Sequence, residues 1–376
     1  MSTIDLLSRI KPVTPGQQKL INALLDREKE IVGVFGPTGT GKSLLTVAYA
    51  LTKVSKGEFE KFVLCRPMVD VVTKKELSTA EIGEQFILLA KQYLHDILSG
   101  YIDLRAIDEL INSGKLVIAD PHFLRGRTFD NAVIFLDDSQ NMPPESAGEL
   151  LMRMGTNSKF VVAGDPVLQK DLPLERDGAT IMREALLGEK DATVIDLGLK
   201  DIVRPGARRG ARILLEIRMR KRVLSEKEKE ILEVIYSHAP DADVLTVVDI
   251  RDLKEKYGIP AELPDVLAIS KAGMVGRLIG KGGEKISRIE EEVGLHIRAV
   301  EVGLDFRPLL LAIHPLRPKV ERGIEDIDLA GPSLLIRIQE RIAGPYFGPK
   351  GVHIRFVNDV FQRILGIGVR TEVVSR

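Results

Sequence analysis

The stretch that decides the fold of the first half of the chain is residues 31–52, which read IVGVFGPTGTGKSLLTVAYALT. The apolar run Ile31–Phe35 has the length and composition of a buried strand, and Ser43–Thr52 has the apolar spacing of a helix. Between them, Gly36–Ser43 matches the pattern G-x-x-x-x-G-K-[ST] at every fixed position. A glycine-rich loop that joins a strand to a helix can turn its backbone N–H groups and the positive end of the helix dipole toward a phosphate. We therefore predict that the chain binds a nucleoside triphosphate.

Every residue of this loop is a candidate nucleotide ligand: Gly36, Pro37, Thr38, Gly39, Thr40, Gly41, Lys42 and Ser43. We expect the Lys42 ammonium to reach the β- and γ-phosphates and the Ser43 hydroxyl to bind Mg²⁺. The Asn-Lys-x-Asp signature of guanine recognition is absent from the sequence. Gln17, upstream of the loop, has an amide that can bond an adenine edge with a donor and an acceptor at once. The predicted ligands are therefore ATP and Mg²⁺.

A second apolar run, Ala132–Leu136, ends in the carboxylates of Asp137 and Asp138. We expect Asp137 beside the magnesium and Asp138 near the water that attacks the γ-phosphate. Gly164 and Asp165 follow the apolar run Lys159–Ala163, and Asp165 is a candidate sensor of the γ-phosphate. Each acidic turn alone would also fit an ordinary strand end. In a chain with a complete phosphate loop, the two turns together predict hydrolysis.

The first 200 residues alternate short apolar runs with helical patterns. Ser78–Leu98 is the clearest helix, and Ser78 with Glu81 forms a capping-box signature at its start. Such alternation predicts an α/β domain with a largely parallel sheet and helices on both faces. The strands that we predict are Ile31–Phe35, Lys61–Cys65, Leu116–Ala119, Ala132–Leu136, Lys159–Ala163 and Thr193–Leu197.

Beyond residue 240 the chain repeats itself. Both copies contain the pattern G-x-x-G-x-x-I, at Gly280–Ile286 and again at Gly348–Ile354, 68 residues later. A helical pattern and then a β-branched run follow each loop. The segment between loop and run is four residues longer in the second copy, which predicts a helix about one turn longer. An internal duplication is a stronger signal than either copy alone.

The composition sets the class of protein. The chain has 376 residues, 54 Lys and Arg against 54 Asp and Glu, and a single cysteine, Cys65. One cysteine excludes a disulfide framework, and no apolar run is long enough for a membrane span. The stretch Arg204–Arg222 contains eight basic residues and one acid, and is a candidate phosphate-binding surface or a solvated helix face. We expect a cytoplasmic protein with no membrane partner, in which Arg208, Arg209 and Arg212 contact nucleic acid.

Residues from about Pro12 to Arg204 resemble the PhoH family, P-loop ATPases related to superfamily 1 helicases. The segments that carry the resemblance are Thr14–Gln17, Gly36–Ser43, Arg66-Pro67, Arg125–Thr128, Leu136–Asn141, Gly164-Asp165, Asp171-Leu-Pro and Asp201–Arg204. The resemblance implies a three-layer RecA-like fold. It also implies that Gln17 reads adenine, Gln140 couples the nucleotide to nucleic acid and Arg204 meets the γ-phosphate. The family has Asp-Glu-Ala-Gln-Asn where this chain has Asp137-Asp-Ser-Gln-Asn, so the side chain of the predicted base is one methylene shorter.

The duplicated segments resemble KH domains, small α/β domains whose G-x-x-G loop clamps the backbone of single-stranded nucleic acid. Pro349 lacks a backbone donor, so the second loop is expected to bind more weakly or to serve packing. The partner implied is single-stranded RNA rather than single-stranded DNA. The implied RNA-binding residues are Gly280, Lys281, Gly282, Gly283, Gly348, Pro349, Lys350 and Gly351.

Three domains are predicted: an ATPase domain over 1–240, a first KH domain over 241–303 and a KH-like domain over 304–376. The favoured function is an RNA-stimulated, helicase-like ATPase with Lys42, Asp137, Asp138, Gln140 and Arg204 as catalytic residues. One alternative is a nucleotide-gated RNA-binding protein that hydrolyses weakly. Another is a homo-oligomeric assembly ATPase whose KH-like units join subunits.

Overall fold

A computed structural model describes residues 4–70, 72–73, 75–169 and 176–375. Asp171-Leu-Pro, one of the segments that carry the family resemblance, lies outside the described residues. The chain divides into two compact units, Met1–Arg208 and Arg209–Arg376.

The first unit is built on a six-stranded sheet with the order β5-β2-β6-β7-β1-β8. Every pairing in it is parallel, as the alternation of strands and helices predicts. A two-stranded antiparallel hairpin, β3–β4, follows β2. The strands are β1 (Ile31–Phe35), β2 (Lys61–Cys65), β3 (Met68–Asp70), β4 (Lys75–Leu77), β5 (Leu116–Ala119), β6 (Ala132–Leu136), β7 (Lys159–Gly164) and β8 (Ala192–Asp196).

Helices cover both faces of this sheet. Val133 and Phe135 of β6 belong to one buried apolar cluster and Ile134 and Leu136 to the other, because successive side chains of a strand point to opposite faces. The result is the predicted three-layer α/β fold. The helices are α1 (Pro15–Leu25), α2 (Lys42–Ser55), α3 (Thr79–Ile82), α4 (Glu84–Leu98), α5 (Leu104–Asn112), α6 (Pro144–Leu151) and α7 (Gly178–Leu186), with short 3₁₀ turns at Pro121–Phe123, Ser139–Asn141 and Leu199–Asp201.

One predicted helix is interrupted. The capping box of Ser78 and Glu81 is present, but the helix that it starts ends at Ile82, and α4 begins at Glu84. Gly83 between them has φ 58° and ψ −131°, a backbone conformation outside the helical region. The apolar spacing is continuous across this break, so periodicity alone did not indicate it.

Helix α8 (Pro205–Arg220) contains the division between the two units, and α9 (Glu226–His238) belongs to the second unit. The sequence prediction placed both helices with the ATPase domain and set the boundary at residue 240. The structure differs because Ile231 and Ile235 of α9 pack in one apolar cluster with Val244 and Val247 of the sheet that follows. A helix whose apolar face is buried against a sheet folds with that sheet.

The second unit contains two three-stranded sheets. Their orders are β11-β10-β9 and β12-β13-β14, and in each the first two strands along the chain are antiparallel and the third is parallel to the second. The strands are β9 (Val244–Asp249), β10 (Val266–Ser270), β11 (Ile297–Glu301), β12 (Ile324–Ala330), β13 (Ser333–Gln339) and β14 (Gly368–Val374).

Each copy inserts two helices between its second and third strands. In the first copy these are α11 (Val275–Ile279) and α12 (Glu284–Val293); in the second they are α15 (Ala343–Phe347) and α16 (Val352–Leu365). Helix α12 has 10 residues and α16 has 14, the four-residue difference that the sequence indicates. The remaining helices of this unit are α10 (Arg251–Tyr257), α13 (Arg307–Ile313) and α14 (Arg317–Val320), with 3₁₀ turns at Lys281–Gly283, Glu321–Gly323, Glu340–Ile342 and Pro349–Gly351.

The two copies pack on each other inside this unit. The Arg363 guanidinium of α16 forms a bidentate ion pair with Asp252 of α10, both bonds at 2.7 Å. The Tyr257 hydroxyl donates to Asp359 at 2.7 Å, and the Tyr257 ring meets Phe356 edge-on. The duplicated segments therefore form one packed pair.

Candidate nucleotide site and nucleic-acid surfaces

The phosphate loop connects β1 to α2 in the strand–loop–helix arrangement that the sequence predicts. Gly39 and Gly41 have φ values of 83° and 89°, a left-handed conformation that favours glycine. A Cβ atom at Gly39 would lie 2.5 Å from the Cβ of Ala207, so a side chain there would clash with the start of helix α8. The Gly36 N–H donates to the carbonyl of Gly164 at 3.0 Å, which ties the loop to the end of β7.

Lys42 is folded back onto its own loop. Its Nζ donates to the carbonyl oxygens of Gly36 and Pro37 at 2.6 and 2.9 Å. Burial lowers the pKa of the Lys42 ammonium, and the carboxylates of Asp165 and Asp137 oppose that shift. Phosphate oxygens carry more negative charge than these carbonyl oxygens. A bound phosphate would therefore be a stronger hydrogen-bond acceptor for the Lys42 ammonium.

The parallel register brings the other predicted residues to the same edge of the sheet. Cys65 of β2 pairs with Leu136 of β6, so Arg66 and Asp137 are the next residues on neighbouring strands. Phe35 pairs with Gly164 in the same way, which aligns the phosphate loop with Asp165. The carboxyl ends of parallel strands meet at one edge, where open α/β sheets bind their ligands.

Asp137 is a buried carboxylate within hydrogen-bonding distance of other groups. Its Oδ2 accepts the hydroxyl of Tyr93, and its Oδ1 accepts the backbone N–H of Asp138 at 3.0 Å. Burial, followed by the charge of Asp138, raises the pKa of Asp137. The Arg66 cation and hydrogen bonds from Tyr93 and Ser43 act in the opposite direction. The Ser43 hydroxyl thus influences the pKa of Asp137, and magnesium binding by these two residues remains a prediction.

Asp138 lies at a left-handed backbone position, with φ 54° and ψ 39°. Its Oδ2 accepts two hydrogen bonds from Arg66, from Nε at 2.9 Å and from Nη2 at 2.6 Å. Its Oδ1 accepts the Gln140 Nε2 at 3.3 Å. Asp138 is thus held by side chains from two directions.

Gln140 connects two strand ends. Besides its bond to Asp138, its Oε1 accepts the backbone N–H of Asp165 at 3.0 Å. Asp165 is buried, and its Oδ1 accepts the N–H groups of Val167 and Leu168 at 3.1 and 2.8 Å. Gln140 therefore bridges the residues that follow β6 and β7.

Gln17 and Arg204 both contact the phosphate loop. The Gln17 amide donates to the carbonyl of Thr40 at 2.9 Å and accepts the N–H of Val13 at 2.8 Å, so it already fixes the loop against helix α1. Arg204 Nη2 lies 3.4 Å from Thr38 Oγ1. Adenine recognition by Gln17 and γ-phosphate contact by Arg204 remain predictions.

Two residues at this site, Arg66 and Tyr93, were not among the predicted site residues. The Arg66 guanidinium lies 4.0 Å from the centroid of the Tyr93 ring, and both side chains contact the paired carboxylates. Arg66 directly follows a predicted strand, so its place at the sheet edge could have been inferred. Tyr93 lies in the middle of α4, and nothing in the helical pattern distinguishes it.

The residues present suit Mg²⁺ bound with a nucleotide. A hydroxyl and a carboxylate are hard oxygen donors of the kind Mg²⁺ prefers, with phosphates and waters completing its shell. Among the described residues there is no group of three or more His, Cys, Asp or Glu side chains that could hold a metal by themselves. Ser43 and Asp137 would supply part of the coordination of a Mg²⁺ that binds with the nucleotide.

Both G-x-x-G loops in the second unit are turns between two helices. In the first, Gly280, Gly282 and Gly283 have positive φ values of 77°, 65° and 86°. A Cβ atom at Gly282 or Gly283 would meet nothing within 4 Å, so this side of the loop is open. The exposed Lys281 has no ion pair within the described part of the chain.

The second loop has the same shape with different residues. Gly348 and Gly351 have φ values of 69° and 74°, and Lys350, at 53°, occupies the left-handed position that Gly282 holds in the first loop. A Cβ atom at Gly348 would lie 2.5 Å from the His353 ring. The two copies share the order strand, strand, helix, loop, helix, strand, and the first copy has the additional helix α10 between its first two strands.

The basic stretch is only partly available for binding. Arg220 pairs with Asp243 and Arg222 with Glu228, at 2.7 and 2.6 Å. Arg208, Arg209 and Arg212 on α8 have no ion pair with any described residue, and the first two are exposed. These three guanidinium groups remain candidates for phosphate contact.

The first unit combines a parallel α/β sheet with a complete phosphate loop after β1. Two adjacent carboxylates follow β6, which is separated from β1 by β7 alone. This combination defines a P-loop nucleoside triphosphatase fold of the RecA-like type. The chain belongs to the PhoH-like family, whose pattern it matches over residues 9–216. Residues 266–306, which include the first G-x-x-G loop, match the KH domain.

Similar proteins are known from several bacteria. The chain is 31% identical over 196 residues to a PhoH-like protein of Bacillus subtilis, covering 52% of this chain and 60% of that protein. It is 32% identical over 207 residues to a PhoH-like protein of Mycobacterium tuberculosis, covering 54% and 58%. The chain thus spans about 60% of the length of these relatives. A large terminase of a thermophilic bacteriophage, solved with ADP, aligns with 57% of this chain and 51% of its own at 15% identity and a TM-score of 0.32.

No helix among the described residues has the length and apolar character needed to cross a bilayer.

Proposed function

We propose that this protein binds ATP with Mg²⁺ in its first unit, hydrolyses it, and couples hydrolysis to single-stranded RNA held by its second unit. The observation that carries this proposal is the convergence of Lys42, Ser43, Asp137 and Asp138 at one edge of the sheet. The KH domain in the same chain supports RNA as the partner. The proposed location is the cytoplasm.

In this proposal the loop N–H groups and Lys42 bind the phosphates. Lys42 exchanges its bonds to the carbonyls of Gly36 and Pro37 for bonds to phosphate oxygens. Asp138 accepts a proton from water as the water oxygen bonds to the γ-phosphorus. The bond from that phosphorus to the β–γ bridging oxygen breaks, and ADP leaves with the electron pair. Mg²⁺, held by Ser43 and Asp137, supplies charge neutralisation on the phosphates when it is bound.

A groove beside the first G-x-x-G helix pair supports RNA binding. It has a volume of about 390 Å³, and its wall includes Val275 at the start of α11 and Arg298 on the edge strand β11. Helix α13 and its continuation supply the opposite wall, with Arg307, Leu311 and Arg317, and the carboxylates of Glu301 and Asp305 also line the groove. Apolar side chains can contact a base while arginines meet phosphates or stack on bases. The RNA surface that we propose for the first copy includes Lys281 and this groove.

A second candidate function is a nucleotide-gated RNA-binding protein that hydrolyses ATP slowly. The observation that favours it is the short side chain of Asp138, both of whose oxygens are already engaged by Arg66 and Gln140. The rate of ATP hydrolysis in saturating RNA distinguishes the two candidate functions. Only the first function requires this rate to be well above the rate without RNA.

The decisive experiment measures ATP hydrolysis and nucleotide affinity with and without single-stranded RNA. Lys42→Ala should remove ATP binding or hydrolysis and leave RNA affinity intact, because the hydrogen bonds of the Lys42 ammonium are to its own phosphate loop. Lys56→Ala is the matched control, since Lys56 lies just beyond the end of the same helix and pairs with Asp5 at the surface. Unchanged turnover in Lys42→Ala would contradict the proposed site. A strand-displacement assay, with DNA as competitor, tests helicase-like activity and the preference for RNA.

A further inference from the structure

Arg66 donates hydrogen bonds to Asp138, the carboxylate that acts as the base in the proposed function. Its two bonds to Asp138 Oδ2, at 2.9 and 2.6 Å, are charge-assisted and therefore stronger than bonds between neutral groups. The guanidinium is also stacked 4.0 Å over Tyr93, whose hydroxyl bonds Asp137. The Arg66 side chain is 28% exposed and that of Asp138 25%, so the pair is largely shielded from competing water.

The geometry of Asp138 limits what its carboxylate can do at one time. A base must place an oxygen within hydrogen-bonding distance of the water that it deprotonates. Oδ1 bonds Gln140 and Oδ2 bonds Arg66, and the short side chain starts from a fixed left-handed backbone position. Turning Oδ2 toward a water elsewhere would break both bonds to Arg66.

We propose that Arg66 is a positioning residue that holds Asp138 in a resting arrangement, and that Asp138 Oδ2 must leave Arg66 before it takes up the attacking water. This inference rests on the proposed function, because Asp138 matters in this way only if the chain hydrolyses ATP. Arg66 differs from an arginine that stabilises the phosphates, since the partner it contacts is the base itself. Its removal should therefore speed hydrolysis where loss of a phosphate contact would slow it.

The test compares Arg66→Ala with the wild-type chain in the absence of RNA. Turnover should rise about tenfold, a small part of what a freed general base can contribute. The affinity for a non-hydrolysable ATP analogue with Mg²⁺, measured by equilibrium binding, should change by less than about twofold because no phosphate contact is lost. Guanidinium chloride, far below denaturing concentrations, should lower the turnover of Arg66→Ala toward the wild-type value by re-occupying the vacated position. It should leave the wild-type rate unchanged.

Two further variants complete the experiment. Arg337→Ala is the matched control, because Arg337 bridges the carboxylates of Asp326 and Glu372 in the second unit and its loss should leave turnover unchanged. Arg66→Lys keeps the positive charge but loses the planar guanidinium that donates two hydrogen bonds to Asp138. The turnover of this variant should therefore lie between those of the wild type and Arg66→Ala. If thermal unfolding shows that Arg66→Ala is not folded, Arg66→Lys decides the question.

The outcomes separate this inference from the proposed function. Turnover of the folded Arg66 variants at or below the wild-type rate, with unchanged analogue affinity, overturns the resting arrangement alone. If neither the wild-type chain nor Arg66→Ala hydrolyses ATP although both bind the analogue, the proposed hydrolysis is overturned as well. Turnover that appears only in Arg66→Ala supports the resting arrangement directly.

Discussion

At the scale of single residues, the backbone of Asp138 constrains its chemistry. A φ of 54° is a conformation that Asp and Asn tolerate better than other non-glycine residues, because their short polar side chains can bond locally. The Asp138 side chain does bond locally, because its Oδ1 accepts a hydrogen bond from the Gln140 amide, two residues further on, at 3.3 Å. The departure from the family's Glu is therefore matched to the turn that the residue occupies.

Substitutions at Asp138 test its role as the base. Asp138→Asn keeps the turn and removes the basic oxygen, so RNA-stimulated turnover should fall by about 10²-fold or more. Asp138→Glu should keep or raise turnover per folded molecule, while the free energy of unfolding falls by about 1 kcal/mol, because Glu fits the left-handed position less well. Steady-state kinetics and urea unfolding of the same preparations measure both effects. Normal turnover in Asp138→Asn would show that another residue positions the water.

At the scale of elements, the two G-x-x-G loops show how one turn is built from different residues. The third position is left-handed in both, and it is Gly282 in the first loop and Lys350 in the second. Lys350 therefore adopts a conformation that L-residues other than Asn and Asp rarely take. The second position of the second loop is Pro349, which has no backbone donor. Both differences make the first loop the stronger candidate for RNA contact.

Paired Asp substitutions in each loop test this ranking. Replacing Lys281 and Gly282 by Asp puts two carboxylates where phosphates should pass, so affinity for single-stranded RNA should fall about tenfold or more, similarly for all sequences. The same change at Pro349 and Lys350 should have a smaller effect. Filter binding measures both variants.

The chain also offers a matched control for the loop variants. Lys56-Gly57 in the first unit is another lysine followed by a left-handed glycine, with open space where the Cβ of Gly57 would lie. Asp at both of these positions should leave RNA affinity unchanged. If both loop variants bind like the wild type, the duplicated segments are not the RNA site, and the assembly alternative becomes the leading one.

At the scale of the whole molecule, the net charge is zero, but the basic side chains are not equivalent. Some of them form ion pairs with carboxylates and others do not. The eight basic residues of 204–222 include Arg220 and Arg222, which ion pairs neutralise. Arg208, Arg209 and Arg212 have no such partner among the described residues. Only unpaired cations can release counterions from a nucleic-acid backbone without first breaking a contact.

The salt dependence of RNA binding tests this distinction. Replacing Arg208, Arg209 and Arg212 by Gln should lower the slope of log affinity against log salt by up to about three, if each contacts one phosphate. Arg220→Gln, at a position already paired with Asp243, should change the slope little. A slope equal to that of the wild type in the triple variant would place the phosphate contacts elsewhere.

The sequence by itself determined the parts of this protein that depend on local pattern. The phosphate loop, the six parallel strands, the capping box at Ser78 and the longer second helix of the duplication all follow from spacing over fewer than about 20 residues. Each of these features depends on residues that lie close together in the chain. The strand ends that bear Asp137 and Asp165 could therefore be assigned to one site before their geometry was known.

The tertiary structure alone decided which side chains control that site. Arg66 reaches Asp138 across 72 residues of chain, and Tyr93 reaches Asp137 across 44. Neither contact has a local pattern, since each depends on which strands and helices become neighbours when the sheet assembles. The same reason explains why α9 joins the second unit: its amphipathic pattern shows that one face is buried, and only the fold shows which sheet buries it.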